Sequence, residues 1–92
     1  ILTTPPDAFK RKTRRNPGIE NIRNKIINYA DQNNYAWWDL YETGGGKHNA
    51  DHWKKAGLMQ SDGIHFTKAG YELQGRLLYE ALIKAYNEYV LY

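Results

Sequence analysis

Asp62 and His65, in the run Asp62-Gly63-Ile64-His65-Phe66-Thr67, are the residues of this chain best suited to chemistry. A histidine accepts and returns a proton near neutral pH, because its ordinary pKa is about 6.5. A carboxylate on the other ring nitrogen fixes the tautomer and stabilises the imidazolium that forms. At a spacing of three, the two side chains can share one tight turn, and Gly63 lets that turn bend without a Cβ clash. Such a pair is the base and its orienting acid in a serine hydrolase. The nucleophile itself is not recognisable in these 92 residues. The one serine, Ser61, lies beside Asp62 in a loop-like stretch and not on a strand-to-helix elbow.

Other residues near the pair are candidates for binding. His48, Trp53 and Met59 lie close to Asp62 in sequence, and in an overhanging segment they would touch a substrate. His48, Asp51 and His52 have an i, i+3, i+4 pattern that could grip a metal on a helix. They sit beside Gly44-Gly45-Gly46 with no zinc-protease glutamate, so a solvated polar loop is expected there and no metal or organic cofactor. Zero cysteines remove disulfides, thiolate nucleophiles and cysteine-bound zinc.

The elements that must position the pair follow from pattern. Ile1–Thr4 is β-prone and is stopped by Pro5-Pro6, since proline cannot donate to a ladder. Residues 7–18 are polar and basic and read as a loop ending in Asn16-Pro17-Gly18. Ile19, Ile22, Ile26, Ile27 and Ala30 recur at steps of three and four, which predicts an amphipathic helix closed by Asn33-Asn34. Tyr35–Tyr41 reads as a second strand, and residues 50–55 as a short helix. Thr67 can cap a last helix whose core stripe is Leu73, Leu77, Leu78, Ala81, Leu82, Ala85, Tyr86 and Tyr89. Gly75 within that stripe predicts a close approach of helix and strand. Two strands make a poor sheet on their own, so they are expected to belong to a larger one.

The block from Asp62 to Thr67, followed by Gly70-Tyr71 and a terminal amphipathic helix, resembles the last conserved block of the SGNH (GDSL-type) esterases and lipases. Ile1-Leu2-Thr3-Thr4-Pro5-Pro6 looks like the strand-and-proline segment after that family's oxyanion-hole asparagine, and Trp37-Trp38-Asp39-Leu40-Tyr41 like its next strand. The tryptophan-rich strand, the triple glycine and Trp53 to Leu58 look most like a bacterial branch that deacylates sugars or cell-wall glycans. The resemblance covers essentially all of the chain. It implies an α/β fold, the C-terminal part of a three-layer α/β/α (flavodoxin-like) domain with parallel strands. Residues 1–92 would be the C-terminal portion of that single domain, without the nucleophile half. Asp62 and His65 would be the catalytic acid–base pair, and the reaction hydrolysis of a carboxylic ester, such as an acetyl group on a carbohydrate. The expected partners are that ester and the remainder of the hydrolase domain. The resemblance favours a periplasmic or secreted location.

Charge bears on a non-enzymatic alternative. The net charge of +3 is local: Lys10, Arg11, Lys12, Arg14 and Arg15 carry five positive charges, and residues 16–92 hold eight basic and nine acidic side chains. That is unlike the basic face of a nucleic-acid binder, and no nucleic-acid partner is expected. A small interaction module would instead use this basic loop, 10–15, and the aromatic strand, 35–41, to hold an anionic polymer or nucleic acid. No apolar run approaches the roughly 20 residues of a membrane span, and no leader peptide is expected within the chain.

Overall fold

The β-prone start and the Trp37-Trp38 pair meet side by side. A computed structural model describes residues 1–11 and 14–90. The elements are β1 (Leu2–Thr3), β2 (Phe9–Arg11), β3 (Arg14–Arg15), α1 (Gly18–Gln32), β4 (Trp37–Trp38), α2 (Leu40–Thr43), α3 (Asn49–Lys55) and α4 (Lys68–Val90). β1 and β4 pair in parallel, Leu2 opposite Trp37 and Thr3 opposite Trp38. The Leu2 N–H donates to Ala36 O at 2.9 Å and the Thr4 N–H to Trp38 O at 3.0 Å. Parallel strands need a crossover, and α1 supplies it, lying against β1. Its apolar positions bury Ala30 completely and Ile19, Ile26 and Ile27 in part. The helix closes where expected: Asn34 takes the left-handed conformation, φ 56°, and the Tyr35 N–H reaches back to Ala30 O at 2.8 Å. The architecture is mixed α/β with a parallel strand pair.

Four expectations are corrected. The second strand is two residues long, because Asp39 turns it into α2: its carboxylate accepts from the Glu42 N–H at 3.3 Å and caps the helix. The basic stretch is not a plain loop, since β2 and β3 form an antiparallel hairpin with Phe9 opposite Arg15. Lys12 lies outside the described residues. The close approach expected at Gly75 occurs at Gly70, where a Cβ would stand 2.0 Å from the Leu58 carbonyl oxygen, whereas Gly75 faces open space. The stripe on α4 is half-buried only from Leu73 to Ala81. Leu82, Tyr86 and Tyr89 are exposed.

Asp39 holds the end of the sheet together. Its carboxylate accepts from Thr4 Oγ1 at 2.8 Å and from Arg23 of α1, whose Nε lies 3.0 and 3.1 Å from the two carboxylate oxygens. The Thr4 hydroxyl oxygen in turn accepts the Tyr41 N–H at 3.0 Å. Tyr41 is buried, donates its hydroxyl to Glu20 at 3.0 Å, and lies under the Arg23 guanidinium. Burial opposes the Asp39 charge, but hydrogen bonds from Arg23, Thr4 and the Glu42 N–H outweigh it and hold the carboxyl below its ordinary range. The Asp39 hydrogen bond likewise raises the Arg23 guanidinium, against desolvation.

A carboxyl whose folded pKa is depressed stabilises the fold above its unfolded pKa of about 3.9 and loses that contribution as pH falls through the folded value. Asp39→Asn should cost about 2 kcal/mol at pH 7, less than a fully buried broken pair because both side chains keep some solvent. Urea unfolding at pH 7 and again below pH about 3.9 should show the deficit shrinking on acidification. A deficit independent of pH would contradict this role.

Candidate active site

The turn that carries Asp62 and His65 is closed by its own backbone. Met59 and Phe66 form an antiparallel bridge, and the Gln60 N–H donates to His65 O at 2.8 Å. The Gly63 N–H donates to Gln60 O at 3.0 Å. Thr67 then anchors the exit. Its hydroxyl donates to Gly57 O at 2.8 Å and accepts the Gly70 N–H at 3.2 Å, capping α4 as its type predicts.

Inside this frame the carboxylate of Asp62 is fully directed. Oδ1 accepts the N–H groups of Ile64 at 2.8 Å and His65 at 3.0 Å, an Asx turn. Oδ2 lies 2.6 Å from His65 Nδ1, a charge-assisted distance. The His65 hydrogen bond, followed by the two backbone N–H groups, holds the Asp62 carboxyl far below the usual carboxylate range. An ionised carboxylate has no proton to give, so Nδ1 is the donor. In the neutral ring the lone pair then sits on Nε2. The His65 side chain is 67% exposed, against 34% for Asp62, so the base is open to a reacting group and its partner is sheltered.

Residues distant in sequence place this turn. Gly63 has φ +68°, and a Cβ there would stand 2.3 Å from Phe9 Cδ2. The Phe9 N–H donates to Gly63 O at 2.9 Å, so β2 is fastened to the Asp62 turn. Phe9 and Trp53 pack against a buried cluster of Ala50, Met59 and Phe66. Buried Asp7 accepts the Ala50 N–H at 3.0 Å at the start of α3. Phe9 and Asp7 were not expected from the sequence. Their signal was an aromatic and a carboxylate inside a stretch that otherwise reads as basic loop.

The expected substrate contacts separate. Met59 is 4% exposed and belongs to the core, which corrects its assignment to a substrate-facing position. Trp53 is half-buried, with its indole N–H on Gly44 O at 2.9 Å and its ring edge-on to Phe66 at 5.6 Å, so its place is structural. His48 is exposed, in a left-handed conformation just before α3. Asp51 pairs with Lys55 at 3.0 Å, and among the described residues no three His, Cys, Asp or Glu side chains gather as a metal site. Ser61 is exposed in the turn.

Neither a protein-family model nor a curated protein matches the sequence. A solved structure of a peptidoglycan O-acetylesterase does match in three dimensions, with a TM-score of 0.87 over 94% of this chain and 20% sequence identity. The chain has the fold of a segment of that esterase. It spans 26% of the esterase's length. At this identity the likeness to the O-acetylesterase is one of fold, and it agrees with the resemblance carried by the block from Asp62 to Thr67.

Gly63→Ala should cost about 1 kcal/mol for the left-handed conformation and more for the clash with Phe9. In a Phe9→Ala background only the first cost should remain. Urea unfolding of the four proteins measures the coupling, and equal costs in both backgrounds would contradict the contact.

Proposed function

We propose that this chain is the C-terminal portion of an SGNH-type serine esterase domain and carries its acid–base pair. The observation that supports this best is the 2.6 Å contact between His65 Nδ1 and the directed carboxylate of Asp62. The domain would be a three-layer α/β/α fold completed by strands and helices from sequence beyond these 92 residues. Exposed Ile1, Leu82 and Ile83 support that reading, since a larger domain would bury them. The same added sequence would supply the serine and the oxyanion donors.

In the complete enzyme, His65 Nε2 takes the proton of the serine hydroxyl as the oxygen attacks the ester carbonyl carbon. Asp62 stabilises the imidazolium, which gives its proton to the departing alcohol and leaves an acyl-enzyme. Water then attacks with His65 again as base, and the carboxylic acid and free serine are released. The substrate is an acyl ester, most simply an acetyl group on a carbohydrate or cell-wall glycan. The fold likeness to a protein named a peptidoglycan O-acetylesterase supports that class.

In the full-length protein, His65→Ala should lower kcat on p-nitrophenyl acetate by about 10⁴-fold or more, and Asp62→Asn by about 10⁴-fold. Full activity of His65→Ala would end this assignment. Since Asp62 is held ionised far below the ordinary carboxylate range, the acidic limb of kcat/KM should contain no ionisation that belongs to Asp62. A second acidic ionisation lost in Asp62→Asn would contradict the geometry.

A further inference from the structure

The acid and the base of the candidate dyad flank Gly63, and glycine has more backbone freedom than any other residue. A turn built on it keeps one shape only if something holds it, and β2 does so. The Phe9 N–H donates to Gly63 O at 2.9 Å. The Gly63 carbonyl and the Ile64 N–H belong to one planar peptide unit, and that Ile64 N–H donates to Asp62 Oδ1 at 2.8 Å. A hydrogen-bonded chain therefore runs from β2 through this peptide plane to Oδ1. It continues across the carboxylate from Oδ2 to His65 Nδ1 at 2.6 Å. Bonds linked in this way polarise one another.

The Phe9 side chain closes the same turn from outside. Its ring lies against Gly63 and leaves no space for a Cβ there. It packs on the buried cluster of Ala50, Met59 and Phe66, and the Lys54 ammonium of α3 stands 5.2 Å over it. Bonds on either side fix the backbone that presents Phe9. Asp7 accepts the Ala50 N–H at 3.0 Å, and the Asn16 N–H donates to Ala8 O at 2.9 Å.

We propose that Phe9 is a positioning residue for the dyad: through the Gly63–Ile64 peptide it sets the orientation of the Asp62 carboxylate, and through that carboxylate the direction of the His65 ring. With Gly63 released, the peptide plane can rotate, Oδ1 loses a donor, and the imidazole loses its single orientation.

The kinetic test rests on the esterase reading. In the full-length protein, Phe9→Ala should lower kcat on p-nitrophenyl acetate roughly 10- to 100-fold, the effect of a displacement of about 1 Å at a reacting group, with KM as in the parent. Phe9→Leu stays apolar but reaches less far over Gly63. It should lower kcat less than alanine does, and it takes the place of alanine if that variant does not fold. Ala30→Gly weakens the fold on α1, away from the dyad, and should leave kcat as in the parent. The tautomer of His65 gives a readout that lost stability alone would not move. In two-bond nitrogen–proton spectra of histidine-labelled protein at alkaline pH, the parent and Ala30→Gly should carry the ring proton on Nδ1. Phe9→Ala should show a mixture of the two tautomers. A kcat unchanged in Phe9→Ala would overturn the proposal, as would an equal loss in Ala30→Gly or a His65 tautomer unmoved by the loss of the Phe9 ring. If the parent protein turns over no ester, the esterase reading falls, and the tautomer still decides whether Phe9 orients the pair.

Discussion

The Asp39 carboxylate is the point on which the rest of this structure depends. It joins the end of β1 through Thr4, the crossover helix through Arg23, and the start of α2 through the Glu42 N–H. Open α/β sheets present their sites beyond the carboxyl ends of the strands. Both chain segments leaving the parallel pair depart from this cluster. One leads through Pro5-Pro6 and Asp7 to the hairpin, and the other through α2 and α3 to the Asp62 turn. An ionised Asp39 keeps those departures in register, and the hairpin and the turn meet again at Phe9 and Gly63.

Two glycines set how closely the site is packed. Gly70 lets α4 approach the Leu58 carbonyl, and Gly63 lets the turn close over the Phe9 ring. Neither position has room for a methyl group. Between them Thr67 fixes the first turn of α4 and the Gly57 carbonyl together. His65 is therefore exposed on a rigid support. Its ring is oriented by one carboxylate, and that carboxylate by two backbone N–H groups.

Much of this was legible in the sequence where the interactions are local. The Asp62–His65 contact spans three residues, the Thr67 cap three, and the α1 periodicity is a single-helix property. The rest depends on partners far along the chain. β4 stops at Trp38 because Asp39 finds Thr4 and Arg23, which no window of neighbours reveals. The hairpin was hidden by its charge, and it is fastened to the Asp62 turn where Phe9 meets Gly63, more than fifty positions later. Met59 lies in a polar stretch and is buried only because the bridge to Phe66 folds it inward. Gly75 had the helical context of a contact glycine, while Gly70 had the spatial one.

The most direct measurement is a crystal structure of the full-length protein inactivated by a small organophosphonate ester. The account predicts a phosphonylated serine from outside residues 1–92, with its oxygen at about 3 Å from His65 Nε2, and Nδ1 still bonded to Asp62. Labelling of Ser61, or a labelled serine well beyond hydrogen-bond reach of His65, would contradict it.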